Sequence, residues 1–123
     1  MTVIQVVTAV LSLFFLFASS IKILGWQEKI FQIQLAMFIK YGLNRRLMAL
    51  VGFIELFGAV TIWFHSSLLG SLGALAILGT SVGALGFHLK FDTWKDGIPS
   101  MITLVLSAFL AWNTRSPFLE LIS

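Results

Sequence analysis

An acidic side chain inside an apolar run is the first feature of this sequence that demands a chemical explanation. Glu55 stands in Val51-Gly52-Phe53-Ile54-Glu55-Leu56-Phe57-Gly58-Ala59. An ionised carboxylate among such neighbours costs several kcal/mol unless a cation or water answers it. Lys22, near the end of another apolar run, is its natural partner. Glu55 lies about eight residues inside its own segment, roughly 12 Å deep at 1.5 Å rise per residue. A lysine stem spans part of that gap; unpaired, Lys22 would instead snorkel its ammonium to the headgroups. His88, in Gly86-Phe87-His88-Leu89-Lys90, falls at the same end of a third run and is placed to face the same pocket. Gly52 and Gly58 lie about one turn either side of Glu55, leaving room for a helix or a ligand. With Trp26, just beyond Lys22, these residues form the candidate ligand-binding set: Lys22, Glu55, His88, Gly52, Gly58 and Trp26. The plainer alternative is a carboxyl that only fixes helix packing.

Other chemistries find few residues. There is no cysteine, which removes disulfides, thiolate nucleophiles and Cys-ligated metals. His65 belongs to a tight hairpin, where solvation is expected, and His88 to the opposite end of its segment. The two cannot share a metal, and no metal site is expected. Ser19 and Ser20 have no base at catalytic spacing. No phosphate loop, HExxH or paired-carboxylate motif is present. Glu55 as an acid–base group tuned by Lys22 is chemically conceivable, but no second catalytic group accompanies it. The reading leans away from an enzyme.

The elements that must position these residues follow from composition. Of 123 residues, 59% are hydrophobic and 11% charged. Soluble domains carry about 45–50% apolar and about 25% charged residues. A mean hydropathy of +1.00 agrees. A spanning helix needs roughly 20 mostly apolar residues. Four segments approach that length, at about 2–24, 47–64, 68–89 and 98–112. None alternates with period two, and lipid leaves helices as the consistent choice. The expected fold is all-α, a single-domain transmembrane four-helix bundle. Between its first two spans, Trp26 to Tyr41 mixes apolar residues with Gln27, Glu28, Lys29, Gln32, Gln34 and Lys40. That mix predicts an interfacial helical segment, ended by Gly42 and Asn44. Pro99 suits the first turn of the fourth helix. Gly79 and Gly83, in a small-residue third helix, predict close helix packing or a dimer face. The apolar tail from Phe118 to Ile122 is expected to lie on the membrane.

The run from Thr2 to Ser19 lacks a basic n-region and is long for a signal peptide, so it reads as a retained helix. The net charge of +3 and pI near 9.7 do not point to nucleic acid. Lys22, Lys29, Lys40, Arg45, Arg46, Lys90 and Lys95 gather on one side, against Arg115 on the other. That bias places the first and third connections in the cytoplasm and both termini outward. Trp26, Trp63, Trp94 and Trp112 fall near helix ends, as an aromatic belt requires.

Two stretches also carry a resemblance. Phe14-Phe15-Leu16-Phe17-Ala18-Ser19-Ser20-Ile21-Lys22-Ile23-Leu24-Gly25 resembles the first-helix signature of the DoxX-like family, an aromatic run, small residues, then Lys-apolar-x-Gly. Ser20 stands where many relatives have glycine. Gly52-Phe53-Ile54-Glu55-Leu56-Phe57-Gly58-Ala59 is similar to the family's Gly-x-x-Glu-Leu-x-Gly-Ala, and His88 ends a small-residue third helix as it does there. The resemblance implies a four-helix protein of a bacterial inner membrane, with relatives in redox complexes and others acting in assembly. The leading expectation is a membrane protein that binds a quinone, a lipid or a membrane partner through the Lys/Glu/His cluster, as a homo-oligomer or complex subunit. Alternatives are a proton-coupled transporter using Glu55 and a structural or assembly subunit. Small multidrug transporters carry their buried carboxylate in the first helix, and here that helix has none.

Overall fold

The computed structural model describes residues 2–123, and its described residues contain helices and no strand. In chain order they are α1 (Val3–Leu24), α2 (Glu28–Lys40), α3 (Arg45–Thr61), α4 (Leu68–Phe91), α5 (Ile98–Asn113) and α6 (Ser116–Ile122). α2 occupies the segment expected at the interface, and the tail folds as α6.

Local chemistry sets the boundaries. Thr2 and Gln5 close a reciprocal capping box at the start of α1. Gly25 ends α1 at φ 67° and Gly42 follows α2 at φ 84°, left-handed conformations that cost glycine little. Asn44 does not belong to the end of α2. Its side chain accepts from the Leu47 amide at 2.9 Å and caps α3. That cap starts α3 at Arg45, two residues earlier than its hydropathy suggests, and the helix closes at Thr61 rather than Phe64.

Two helices are long and apolar enough to cross a membrane: α1, with hydropathy 2.1, and α4, with 1.8. α5 is apolar but has 16 residues; α3 has 17 and carries Arg45, Arg46 and Glu55. At 1.5 Å per residue these shorter helices reach about 25 Å, against a hydrocarbon core of about 30 Å. By length, therefore, two of the four expected spans qualify.

The helices form a ring in which α1 packs on α3, α3 on α4, α4 on α5, and α5 more loosely on α1. One half of the ring is filled by Val7, Leu11, Phe15, Ala59, Ile62, Ala74, Ile77 and Leu110. Short polar side chains tie the helices together. Ser12 Oγ donates to the Ala59 carbonyl at 2.8 Å, and Ser81 meets Thr103 at 2.8 Å. His65 is not merely solvated: its Nε2 lies 2.8 Å from Thr8 Oγ1. Thr8 already donates to the Ile4 carbonyl at 2.7 Å, so the ring nitrogen is the donor.

Glycine decides how tightly α4 packs. A Cβ on Gly73 would meet Thr61 Oγ1 at 2.1 Å, and one on Gly58 would meet Ile77 Cγ1 at 2.6 Å. Within the chain, the close packing expected at Gly79 and Gly83 is not formed, because nothing lies within 4 Å of a Cβ added at either, or at Gly86. Gly79 and Gly83 leave a hollow rather than a contact, and Gly86 is exposed. Gly73→Ala is accordingly expected to cost about 1–3 kcal/mol by overpacking. Gly86→Ala should melt at or above the parent temperature in detergent thermal scans.

Candidate functional site

Gly52 brings α1 and α3 close enough for their charges to meet. A Cβ there would stand 3.0 Å from Lys22 Cβ and 2.9 Å from Ile23 Cγ1. Across this approach Lys22 Nζ lies 2.9 Å from Glu55 Oε1, with both side chains buried. The contact is an ion pair whose angles fall short of a hydrogen bond, so Glu55 Oε1 retains an unused acceptor position. Arg45 anchors the end of α1 that carries Lys22. Its guanidinium donates to the Lys22 and Ile23 carbonyls at 2.6 and 2.8 Å and lies over the Phe31 ring, 4.9 Å from its centroid. A cation here also opposes the negative end of the α1 dipole.

The pair stands in the wall of a cavity of about 610 Å³. Phe14, Phe15 and Ala18 of α1 and Val51 and Ile54 of α3 form apolar walls. Ala76, Gly79, Thr80, Gly83 and Ala84 of α4 supply the free space, and Ser100 and Thr103 of α5 lie opposite. α2 covers the remaining side with Gln34, Met37 and Phe38, followed by Tyr41. Gln34 Oε1 is buried and has no hydrogen-bond partner. Volumes of about 300–1,000 Å³, mostly apolar with a few polar groups, are typical of small-molecule sites.

Where α2 meets α4, a polar latch adjoins the cavity. Asp92, the C-cap of α4, pairs with Lys40 Nζ through Oδ1. Its Oδ2 accepts from the Tyr41 hydroxyl at 2.5 Å and from His88 Nδ1 at 3.0 Å. Hydrogen bonds from Lys40 and then Tyr41 hold the Asp92 carboxyl down at about 2. It is therefore an acceptor at neutral pH, which puts the imidazole proton on Nδ1 and leaves Nε2 as the acceptor in a neutral ring. Burial, then the Asp92 hydrogen bond and charge, push the Tyr41 hydroxyl above its ordinary range. The Tyr41 ring stacks on Phe87 with centroids 5.0 Å apart and contacts Phe91 at 5.4 Å.

Of the six candidate residues, the cavity gathers Lys22, Glu55 and His88. Gly52 and Gly58 stand outside its lining, where they let α3 approach α1 and α4. Trp26 is exposed, and its Nε1 donates to Ser20 Oγ at 2.9 Å. Sequence reasoning missed Gln34, Met37, Phe38 and Tyr41, although their spacing of three or four residues marks one helix face. It also missed the partnership of Tyr41 with Asp92, for which a separation of 51 residues gives no local signal. Among the described residues no three His, Asp or Glu side chains gather as metal ligands.

Residues 6–110, most of the chain, match the DoxX-like family. No curated protein and no solved structure matches the sequence.

Two predictions follow from this geometry. Lys22→Met strands a buried carboxylate and should cost about 3–5 kcal/mol, whereas Lys22→Met with Glu55→Leu should regain most of that loss in thermal melts. The latch depends on the Asp92 carboxylate, whose value is depressed in the folded chain from 3.8 to about 2. Its contribution is present above the ordinary carboxylate range and is lost as pH falls from about 4 toward 2. Asp92→Asn should reproduce that loss at neutral pH, seen as faster hydrogen exchange across α2 with α1 unchanged.

Proposed function

This chain belongs to the DoxX-like family, and on that footing we propose that it is a multi-pass membrane protein that holds a hydrophobic small molecule. The bound molecule has a polar head, as a quinone or a lipid does. The supporting observation is the mostly apolar cavity of about 610 Å³ with the Lys22–Glu55 pair in its wall. Apolar walls take a tail, and the buried pair offers a head both an ammonium donor and a carboxylate acceptor. Within this reading α1, α3, α4 and α5 are the four spans. Local thinning of the bilayer and snorkelling of Arg45 and Arg46 accommodate the shorter pair.

The basic residues concentrate in the α1–α3 and α4–α5 connections. The positive-inside rule then turns the α2 end toward the cytoplasm and both termini outward, in a bacterial inner membrane. A bound quinone would tie the protein to a redox complex. Proton-coupled transport would need Glu55 to release its partner in each cycle, and the contact with Lys22 favours a fixed pair instead.

The test is native mass spectrometry of protein extracted gently from its own membrane. The parent chain is expected to carry a bound lipid or quinone. The Lys22→Met, Glu55→Leu double variant should fold and arrive without it. An empty parent, or a double variant that keeps the same adduct, would overturn the reading.

A further inference from the structure

Among the described residues, the buried side-chain oxygens and nitrogens without a hydrogen bond are Glu55 Oε1 and Gln34 Oε1. Both residues line the same cavity, although one lies on α3 and the other on α2. Glu55 is only 4% exposed, so open solvent cannot serve its oxygen as it would at the surface. Buried acceptors without donors are costly, and native structures leave few of them. A molecule that completes this cavity therefore has to bring hydrogen-bond donors.

The charges in the walls narrow its chemistry further. Lys22 is paired with Glu55, and the two formal charges cancel. An anionic head would compete with Glu55 for the one ammonium in the cavity wall. A cationic head would sit against Lys22. At the mouth, Asp92 is already engaged by Lys40, Tyr41 and His88. The head that fits is uncharged.

Resting on the ligand-binding reading above, we propose that the cavity selects a neutral, hydroxyl-bearing head on an apolar tail. Hydroquinones and monoacylglycerols share that chemistry. A quinone in its oxidised form, with carbonyl oxygens alone, would bring no donor to Gln34 Oε1 or to the acceptor position that Lys22 leaves free on Glu55 Oε1. The polar groups thus discriminate by donor count, while the apolar walls tolerate many tails.

Binding to the full-length protein in nanodiscs tests this with four probes of equal tail length. They are dodecylhydroquinone, its dimethyl ether, a C12 monoacylglycerol and dodecanoate. At least one hydroxyl probe is expected to bind about ten-fold tighter than the dimethyl ether, the scale of one or two buried hydrogen bonds. Whichever hydroxyl probe binds tighter identifies the source of the head. Gln34→Leu, in the half-buried face of α2, should narrow the ratio several-fold while the melting temperature holds. Equal binding of the dimethyl ether, or preferential binding of dodecanoate, would overturn the hydroxyl assignment and leave the ligand-binding reading standing. No binding of any probe would overturn both.

Discussion

A carboxylate placed among apolar side chains must be answered, and much of this structure arranges the answer. Glu55 is almost fully buried in the middle of α3, and a cation comes to it. Lys22 does so because Gly52, one turn before Glu55, removes the side chain that would hold α1 away. Arg45 then holds the last carbonyls of α1 in place. Desolvating two charges generally consumes most of their attraction, so the contact is better read as a constraint on packing than as a source of stability. In the observed register of α1 against α3, the pair leaves neither charge stranded.

Around that pair the ring of helices divides into two halves with different jobs. The filled half is held by interlocking apolar side chains and by short polar bonds, Ser12 to the Ala59 carbonyl and Ser71 to the Thr114 carbonyl. Close contact at Gly58 and Gly73 brings α3 and α4 together, and the short polar ties join α1 to α3 and α4 to the C-cap of α5. The hollow half starts where α4 presents Gly79 and Gly83 with nothing against them. Small residues serve opposite ends within one helix, contact in its first part and empty volume in its second.

α2 is the least embedded of the longer helices and has no fully buried residue. It is held at two points. Phe31 packs under Arg45 at one end, and Lys40 and Tyr41 grip Asp92 at the other. An element fixed at its ends and loosely packed between them opens at lower cost than the ring it covers. The same helix supplies Gln34, so the cover of the cavity also brings a buried, unpartnered oxygen to its wall.

The sequence by itself determined the helical class, the segment boundaries to within about three residues, and the exceptional status of Glu55. Hydropathy and caps are local, and a lone carboxylate in an apolar run shows without any partner in view. Lys22 was legible as that partner because few cations lie at the right depth. The family, too, could be read from the order of two short motifs, as the match over residues 6–110 shows. Only the tertiary structure decided which glycines make contacts and which make space, since Gly73 and Gly83 look alike in a sequence. It alone joined Tyr41 to Asp92 and His65 to Thr8, pairs 51 and 57 residues apart. Such pairings depend on how whole helices are placed, and no local pattern of residue types records that placement.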